Sequence, residues 1–245
     1  MQQVSSAAKF DEARLNASYG KLVNQLLPTL GYQTSVRPLS EISPSDYANY
    51  DCVVLICLQR SLDESHRSAL YSAVRSGQTN ILIAGDHTDI HGVQQPFNDF
   101  MEPLGVHLNY DSIFPFGGWE SQLRYCAHPL NGMRPYERRG AHADNGYSVG
   151  ASLSLLNASC YPLLISDDGF ADRGTVDAAQ IAGLGDMAYT PNESRGGHVL
   201  AAERQLGAGT ILAFGDTALL QDSSAAAHFT YVASVFAYLA SETER

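Results

Sequence analysis

The chain has 245 residues, of which 44% are hydrophobic and 17% charged, with a formal net charge of −11 at pH 7. This composition supplies enough apolar material for a core and too little charge for a disordered chain. The acidic balance, with no basic run anywhere, argues against nucleic acid and anionic membrane surfaces as main partners.

Neither a membrane span nor a secretion signal is evident in the sequence. No apolar stretch approaches the roughly 18 residues that a spanning helix needs. The N-terminal residues lack the basic and apolar regions of a signal peptide. We therefore expect a soluble, cytoplasmic chain that forms one domain over residues 1–245, without direct membrane insertion.

The four cysteines are Cys52, Cys57, Cys126 and Cys160. They are scattered, and none has the CxxC spacing of a metal site. Cys52 and Cys57 lie in or beside an apolar run, where a cysteine behaves as a small hydrophobic residue. The sequence predicts buried, reduced thiols and no disulfide.

The chain begins with alternating strand and helix patterns. A short strand is predicted to end at Phe10, and apolar residues spaced three and four apart predict a helix from Leu15 to Leu27. An edge strand follows from Tyr32 to Val36. The apolar run from Asp51 to Leu58 is typical of a strand buried on both faces.

The next elements complete a parallel pattern. Ser61 and Glu64 have the spacing of a capping box and predict a helix that continues to about Arg75. A second buried strand is predicted from Ile81 to Ala84. Strand, helix and strand at this spacing form parallel βαβ units, so the two buried strands should be parallel, central and adjacent or nearly so.

The middle of the chain changes character. After a short helix predicted from Pro96 to Leu104, residues 106–165 hold alternating runs separated by Gly, Pro and Asn. The alternating runs are Val106 to Tyr110, Gln122 to Tyr125, Tyr147 to Leu156 and Tyr161 to Ile165. They predict an antiparallel β and loop elaboration on the α/β core.

The last sixty residues return to regular patterns. A strand is predicted from Gln180 to Asp186, and a hairpin from Val199 to Gln205 and Thr210 to Phe214. Ser223 or Ser224 is predicted to cap a final amphipathic helix.

Titratable side chains follow the strand that ends at Ala84. They are Asp86, His87, Asp89 and His91, and Asp11 and Glu12 are expected beside them from the end of the first strand. In open α/β sheets the ligand crevice lies at the carboxyl ends of the strands. Three interpretations stay open: Asp86 and His87 act as a catalytic acid/base pair, a divalent metal is held by Asp86, His87 and His91, or Asp86 caps the next segment while the others contact a ligand.

Further candidates lie elsewhere in the chain. Asp216 follows the strand ending at Phe214, where a cap is more common than a catalyst. Trp119 and Glu120, with His142, lie in predicted loops, where the tryptophan would offer a stacking face to a ligand such as a sugar. No serine-nucleophile elbow and no Gly-rich phosphate loop occurs, which disfavours serine hydrolase chemistry and nucleotide binding.

Three segments resemble the class I glutamine amidotransferase-like superfamily, and more narrowly its Cys-lacking bacterial, gliding-motility and intraflagellar-transport-like group. The segments are Phe10 to Leu15, Ile81 to Asp89 and Gly207 to Thr217. The resemblance implies a flavodoxin-like, mostly parallel sheet flanked by helices. True amidotransferases carry a nucleophilic Cys on the strand-to-helix elbow, but Gly85 to Thr88 occupies that position here. The glutaminase reaction is therefore not supported.

Three hypotheses follow for function. The leading one is a non-glutaminase domain that binds a small polar ligand, such as a carbohydrate, at the strand ends, with no cofactor required. The second is a hydrolase or lyase that uses Asp86 and His87, either as an acid/base pair or with a divalent metal. The third is an interaction module with a protein partner or a parent membrane complex.

Overall fold

The computed structural model describes residues 2–5, 12–116, 120–132, 136–141, 150–173 and 185–243. The α-helices in these ranges are α1 Glu12–Lys21, α2 Leu27–Thr29, α3 Glu64–Arg75, α4 Gln94–Met101 and α5 Asp222–Thr243, with a π-helical segment, Leu22–Leu26, joining α1 to α2. The strands are β1 Gln2–Ser5, β2 Ser35–Pro38, β3 Cys52–Ile56, β4 Asn80–Ala84, β5 Val106–Leu108, β6 Ser112–Pro115, β7 Glu120–Tyr125, β8 Tyr136–Ala141, β9 Leu153–Leu155, β10 Cys160–Asp172, β11 Arg195–Leu206 and β12 Gly209–Phe214.

One half of the sheet is parallel. The order β2-β1-β3-β4-β12 contains only parallel pairs, and Val53 of β3 is in register with Ile81 of β4. All five residues of β3 and of β4 are buried. The predicted adjacency, direction and two-sided burial of these two strands are confirmed.

The other half of the sheet is antiparallel. From β12 the sheet continues through β11, β10, β7 and β8, each antiparallel to its neighbour. Strand β6 also pairs with β10, and β9 bridges β5 and β11. The predicted antiparallel elaboration is therefore present, but it is continuous with the core sheet through β11. The result is a mixed α/β fold rather than a mostly parallel one.

Helices cover both faces of the parallel strands, and alternate residues of each strand enter different cores. On one face, Val54 and Leu82 pack with Phe236 of α5 and with Leu22 and Leu26 after α1. On the other face, the neighbouring strand residues pack against α3 and α4; this core includes Val53, Ile81, Leu70, Val74, Phe97 and Phe100. Burial of each such side chain contributes about 1.5–3 kcal/mol relative to exposure.

Several predicted boundaries are corrected. The first described strand is β1, Gln2–Ser5, whereas the predicted end at Phe10 lies outside the described residues. The cap of α3 is Asp63, which accepts the His66 backbone N–H at 2.9 Å, so the Ser61 and Glu64 capping box is wrong. Ser61 instead donates to Asp99. Because Asp63 is only three residues before His66, it has the better position for the cap.

Other sequence predictions have mixed outcomes. The edge strand lies at Ser35–Pro38, slightly after the prediction, and the hairpin of β11 and β12 is confirmed. Most of the strand predicted from Gln180 to Asp186 lies outside the described residues. All four cysteines are free thiols, as expected. Among the described helices, none combines the length and apolar character required to cross a membrane.

Candidate functional site

Three parallel strands deliver polar side chains to one edge of the sheet. The ladder extends one residue past the strands, because Cys57 N–H donates to Ala84 O at 3.0 Å and Gly85 N–H donates to Phe214 O at 2.8 Å. The next residues therefore meet at the carboxyl edge, where an open α/β sheet places its ligand crevice. We call Cys57, Asp86 and Thr217, which follow β3, β4 and β12, the strand-end cluster.

Hydrogen bonds join the strand-end cluster. Asp86 Oδ2 accepts the Thr217 hydroxyl at 3.4 Å and the Cys57 thiol at 3.9 Å, and Asp86 Oδ1 accepts the His87 backbone N–H at 2.9 Å. Thr217 in turn accepts the Gln221 side-chain amide at 3.1 Å. Asp86 thus caps the segment after β4, as one interpretation predicted, and also links it to β3 and β12.

Asp86 and His87 also form a titratable pair. The His87 Nε2 and Asp86 Oδ1 atoms are 3.6 Å apart, and the two side chains are 17% and 18% exposed. Burial raises the pKa of Asp86, against the lowering effect of His87. Burial likewise lowers the pKa of His87, although the Asp86 charge opposes this. Both groups are shifted toward their neutral forms, as expected where desolvation is the dominant effect.

Cys57 is the residue of this edge that sequence reasoning did not recognise as part of the site. Its φ of +46° lies in the left-handed region, which non-glycine residues rarely adopt. Burial raises the pKa of the Cys57 thiol, and the nearby Asp86 charge raises it further. Because the thiolate is the nucleophilic form, this environment holds the sulfur in its unreactive state. Cys57 is a free thiol, as predicted, but its side chain is half-buried rather than buried.

A tyrosine from α1 lies beside the strand-end cluster. Burial raises the pKa of Tyr19, and the Cys57 charge contributes next. Tyr19 departs from helical geometry, with φ −133° and ψ 16° inside α1. It packs against the core that contains α5. The helix that follows the first strand therefore contributes to this edge through Tyr19.

The segment His87–Gly92 has an unusual backbone. Thr88, Asp89 and His91 have φ values of +41°, +53° and +59°. Left-handed conformations of such residues are costly and cluster at functional sites. The Asp89 carboxylate accepts the Gln94 backbone N–H at 2.8 Å and so caps α4, whereas the His91 side chain is exposed.

The remaining sequence candidates are placed only in part. Asp216 is buried, and its carboxylate accepts the Ala218 backbone N–H at 2.8 Å, which is the capping role weighed above. Asp11, Trp119 and His142 lie outside the described residues. For Glu12 and Glu120 the structure describes the backbone, which lies in α1 and β7, but not the side chain. Their predicted ligand contacts stay predictions.

A polar cleft of about 700 Å³ lies between α4 and the antiparallel strands. Its lining includes Asn109, Asp111, Ser152, Ser154, Arg173 and His198. Asp111 is only 5% exposed, and its two carboxylate oxygens accept the Ser152 backbone N–H at 2.7 Å and the Ser152 hydroxyl at 2.5 Å. Burial raises the pKa of Asp111, while the bonds from Ser152 lower it.

The polar cleft adjoins the segment that follows β4. Thr88 N–H donates to the Asp111 carbonyl at 3.0 Å. Gln94, whose N–H is bound by Asp89, lines the cleft together with Tyr110. The Asp89 charge also raises the pKa of Tyr110, after the larger effect of burial. The predicted strand-end region and the cleft are therefore neighbours in one part of the molecule.

Sequence reasoning missed the cleft residues. Asp111 directly follows a predicted strand, but Ser152, its hydrogen-bond partner, is 41 positions away. Nothing in their local sequence marks them as a pair. A weak signal was available for Asp111, because it is an acidic residue directly after a predicted strand.

A metal site was one of the predicted alternatives at the strand ends. In the part of the chain that the structure describes, no three His, Cys, Asp or Glu side chains are grouped as a metal ion would require. The set Asp86, His87 and His91 stays a prediction that metal analysis of untreated protein can check.

We expect Asp86→Asn to be at least as stable as the wild type at pH 7. The raised pKa of Asp86 means that the folded state binds its proton more tightly than the unfolded chain does. The wild-type carboxyl therefore lowers stability as the pH rises above 3.8, its ordinary pKa. Removing the charge removes this penalty, so the advantage of Asn should shrink as the pH falls toward 3.8. Denaturant unfolding at several pH values measures it.

Asp63→Asn is the matched control, with the opposite sign. The His66 backbone N–H lowers the pKa of Asp63, so ionised Asp63 favours the folded state above its ordinary pKa and loses that effect as the pH falls. Asp63→Asn should therefore reduce stability at pH 7 and approach the wild type in acid. A marked loss of stability in Asp86→Asn at pH 7 would show that ionised Asp86 stabilises the fold.

Comparisons with known proteins agree only at the level of the fold. No family model and no curated protein matches the sequence. The mmIFT52 N-terminal domain matches with a TM-score of 0.64 and 11% identity, over 98% of this chain and 97% of its own. A cytoplasmic protein from Salmonella typhimurium LT2 has a TM-score of 0.56 and 10% identity, over 98% and 99%. A ThuA-like protein from Bacteroides uniformis has a TM-score of 0.50 and 12% identity, over 97% and 90%. The IFT52 and ThuA-like folds are related to the glutamine amidotransferase-like folds.

Proposed function

We propose that this chain is an amidotransferase-like domain without glutaminase activity that binds a small polar ligand beside the ends of its parallel strands. A carbohydrate is the leading ligand class. The order β2-β1-β3-β4-β12 supports a flavodoxin-like arrangement of the parallel part, because flavodoxin-like sheets share this order. In such sheets the ligand lies at the carboxyl ends of the strands.

The polar cleft is the observation that carries the proposal. Its volume of about 700 Å³ lies within the roughly 300–1,000 Å³ range of small-molecule pockets. A buried carboxylate, Asp111, lines it and keeps acceptor capacity beyond its two bonds from Ser152. Convergent polar groups in a concave site next to residues with shifted pKa values are the general signature of a ligand site.

The state of Cys57 supports the absence of glutaminase chemistry. An amidotransferase needs an activated thiolate beside a histidine base. Within the described residues, no histidine ring is bonded to the Cys57 sulfur, whose thiol contacts Asp86 and Thr217 instead. The neighbouring carboxylate disfavours the thiolate, so the cluster works against nucleophilic catalysis.

Filling the cleft should abolish ligand binding. We expect Ser154→Leu to weaken binding of a cleft ligand at least tenfold, because Ser154 lines the cleft and the larger side chain occupies its space. The matched control is Ser159→Leu at an exposed turn outside the cleft. Isothermal titration with neutral sugars, sugar acids, sugar phosphates and amino acids measures the effect. The proposal fails if no compound binds, or if both variants bind alike.

A hydrolase or lyase is the second candidate function. The contact between Asp86 and His87, with both groups shifted toward their neutral forms, supports it, because such a pair suits acid/base work. Turnover of a compound found in the titrations, lost in both Asp86→Asn and His87→Ala without loss of folding, would favour this candidate. Stoichiometric metal lost in both variants would add the divalent ion.

The interaction module remains the third proposal. The name of one structural neighbour, mmIFT52 N-terminal domain, supports it only by analogy of fold. A protein partner or a parent membrane complex would leave the chain without turnover and without a small ligand. Failure of the titrations above therefore favours this alternative.

A further inference from the structure

We infer that the ligand of the polar cleft is a small polyol that carries one anionic group, either a sugar acid or a sugar phosphate. The inference rests on the proposed function, since it names the class of molecule that the cleft would bind. It comes from two different sets of side chains in the lining, one that accepts hydrogen bonds and one that attracts negative charge.

The accepting set is built around Asp111. Ser152 donates to both carboxylate oxygens, and Asn109 Nδ2 donates to the Ser152 hydroxyl at 2.8 Å. Asn109 Oδ1 accepts the Ser154 hydroxyl at 2.9 Å. These bonds fix the orientation of the carboxyl and leave acceptor capacity on each of its oxygens. Hydroxyl groups are the donors that this arrangement suits, because they are neutral and small.

The attracting set consists of Arg173 and His198. Burial raises the pKa of Asp111, and after the bonds from Ser152 these two side chains offset part of that rise. The His198 Nε2 atom is buried, and within the described residues it has no hydrogen-bond partner. The Arg173 side chain is exposed at the cleft and forms no ion pair with another described residue. A buried ring nitrogen without a partner is costly, so a ligand atom that bonds it stabilises the complex.

Together the two sets favour a molecule with both hydroxyls and negative charge. The Arg173 guanidinium repels a cationic ligand and forms strong, bidentate bonds with carboxylate or phosphate. A purely anionic ligand without hydroxyls would leave Asp111 facing a negative charge. A neutral sugar would satisfy Asp111 but leave Arg173 unused. A polyol with one anionic group meets both requirements at once.

Titrations with D-glucose, D-glucuronate and glucose 6-phosphate test the inference. The wild-type protein should bind at least one of the two anionic sugars tenfold or more tightly than glucose, and the tighter of the two identifies the anionic group. Arg173→Gln should weaken the anionic sugars at least tenfold and leave glucose nearly unchanged. Arg75→Gln, the same change at an exposed residue of α3 outside the cleft lining, should change none of them.

Two further variants separate the accepting set from the attracting set. Asp111→Asn should weaken all three sugars, because the hydroxyl contacts are common to them, whereas His198→Gln should weaken mainly the anionic ones. If glucose binds as tightly as the anionic sugars and Arg173→Gln has no effect, the inference is wrong while the proposed function stands. If no sugar binds, and the titrations with the other compounds also find no ligand of the wild-type protein, the inference and the proposed function both fail.

Discussion

His128→Ala should lower the free energy of unfolding by about 1.5–3 kcal/mol for the lost hydrogen bond to a charged group, with a further loss from the packing of the buried imidazole ring. The Glu203 carboxylate in β11 is almost fully buried and is held by His128 Nε2 and by the Tyr238 hydroxyl, at 3.2 Å from Oε1. His128 Nδ1 accepts the Leu130 backbone N–H, so Nε2 is the nitrogen that carries a proton and donates to Glu203. Without His128, the Tyr238 hydroxyl is the side-chain donor that the buried Glu203 carboxylate keeps among the described residues.

Two milder variants separate the contribution of His128 from that of the Glu203 charge and of the second donor, Tyr238. Tyr238→Phe removes one neutral donor and should lower stability by about 1 kcal/mol. Glu203→Gln keeps an acceptor for His128 without the charge, and should lower stability less than His128→Ala. Urea unfolding of the three variants measures the ranking. If His128→Ala is no more damaging than Tyr238→Phe, the contact between His128 and Glu203 does not hold β11 to the turn after β7.

The parallel core could be predicted from the sequence because its signals are local. The runs from Asp51 to Leu58 and from Ile81 to Ala84 are short, apolar and β-branched, and the helix between them has ordinary length. Parallel pairing then follows from the handedness and shortness of such connections. The exact cap of α3 did not follow, because Ser61 and Asp63 are both good cap residues and the first residue of the helix, Glu64, is known only from the structure. The Ser61 side chain instead donates to Asp99.

For the antiparallel half, the sequence predicted that strands are present but not which strands pair with one another. Alternating patterns indicate strands, but they do not say which strands pair. Strand β10 is predicted in part by the run Tyr161 to Ile165, whereas the structure extends it to Asp172 with register shifts against β11. Its pairing with β11 joins the two halves into one sheet, and no local feature of the sequence encodes that long-range contact.

The candidate site also contains residues that local sequence identifies and residues that only the folded structure brings together. Asp86 could be found because it ends a buried strand, where parallel topology places ligand sites. Its partners Cys57 and Thr217 are 29 and 131 positions away, so their convergence needs the folded sheet. The pair of Asp111 and Ser152 has even less local signal. Polar residues in a β elaboration are ordinarily solvated, and only tertiary contacts bury this carboxyl.

The turn between β11 and β12 offers the second large effect, because it packs directly against the end of α3. Gly207 has φ +69°, and a Cβ there would lie 2.4 Å from the Arg75 carbonyl oxygen and 2.8 Å from its Cα. Ala208 N–H donates to the same carbonyl at 3.0 Å. The contact is therefore between two backbones, neither of which can move without breaking a hydrogen bond.

Gly207→Ala should lower the free energy of unfolding by about 2–5 kcal/mol, the sum of about 1–2 for the left-handed backbone and 1–3 for overpacking. Gly31→Ala is the matched control, since Gly31 has φ +87° and no heavy atom within 4 Å of its added Cβ. It carries the backbone strain alone and should lower stability by about 1–2 kcal/mol. Chemical denaturation of both variants isolates the clash as their difference. Equal losses would mean that the hairpin turn moves away from α3 at little cost, and that this contact does not fix the position of β11 and β12 against the helix.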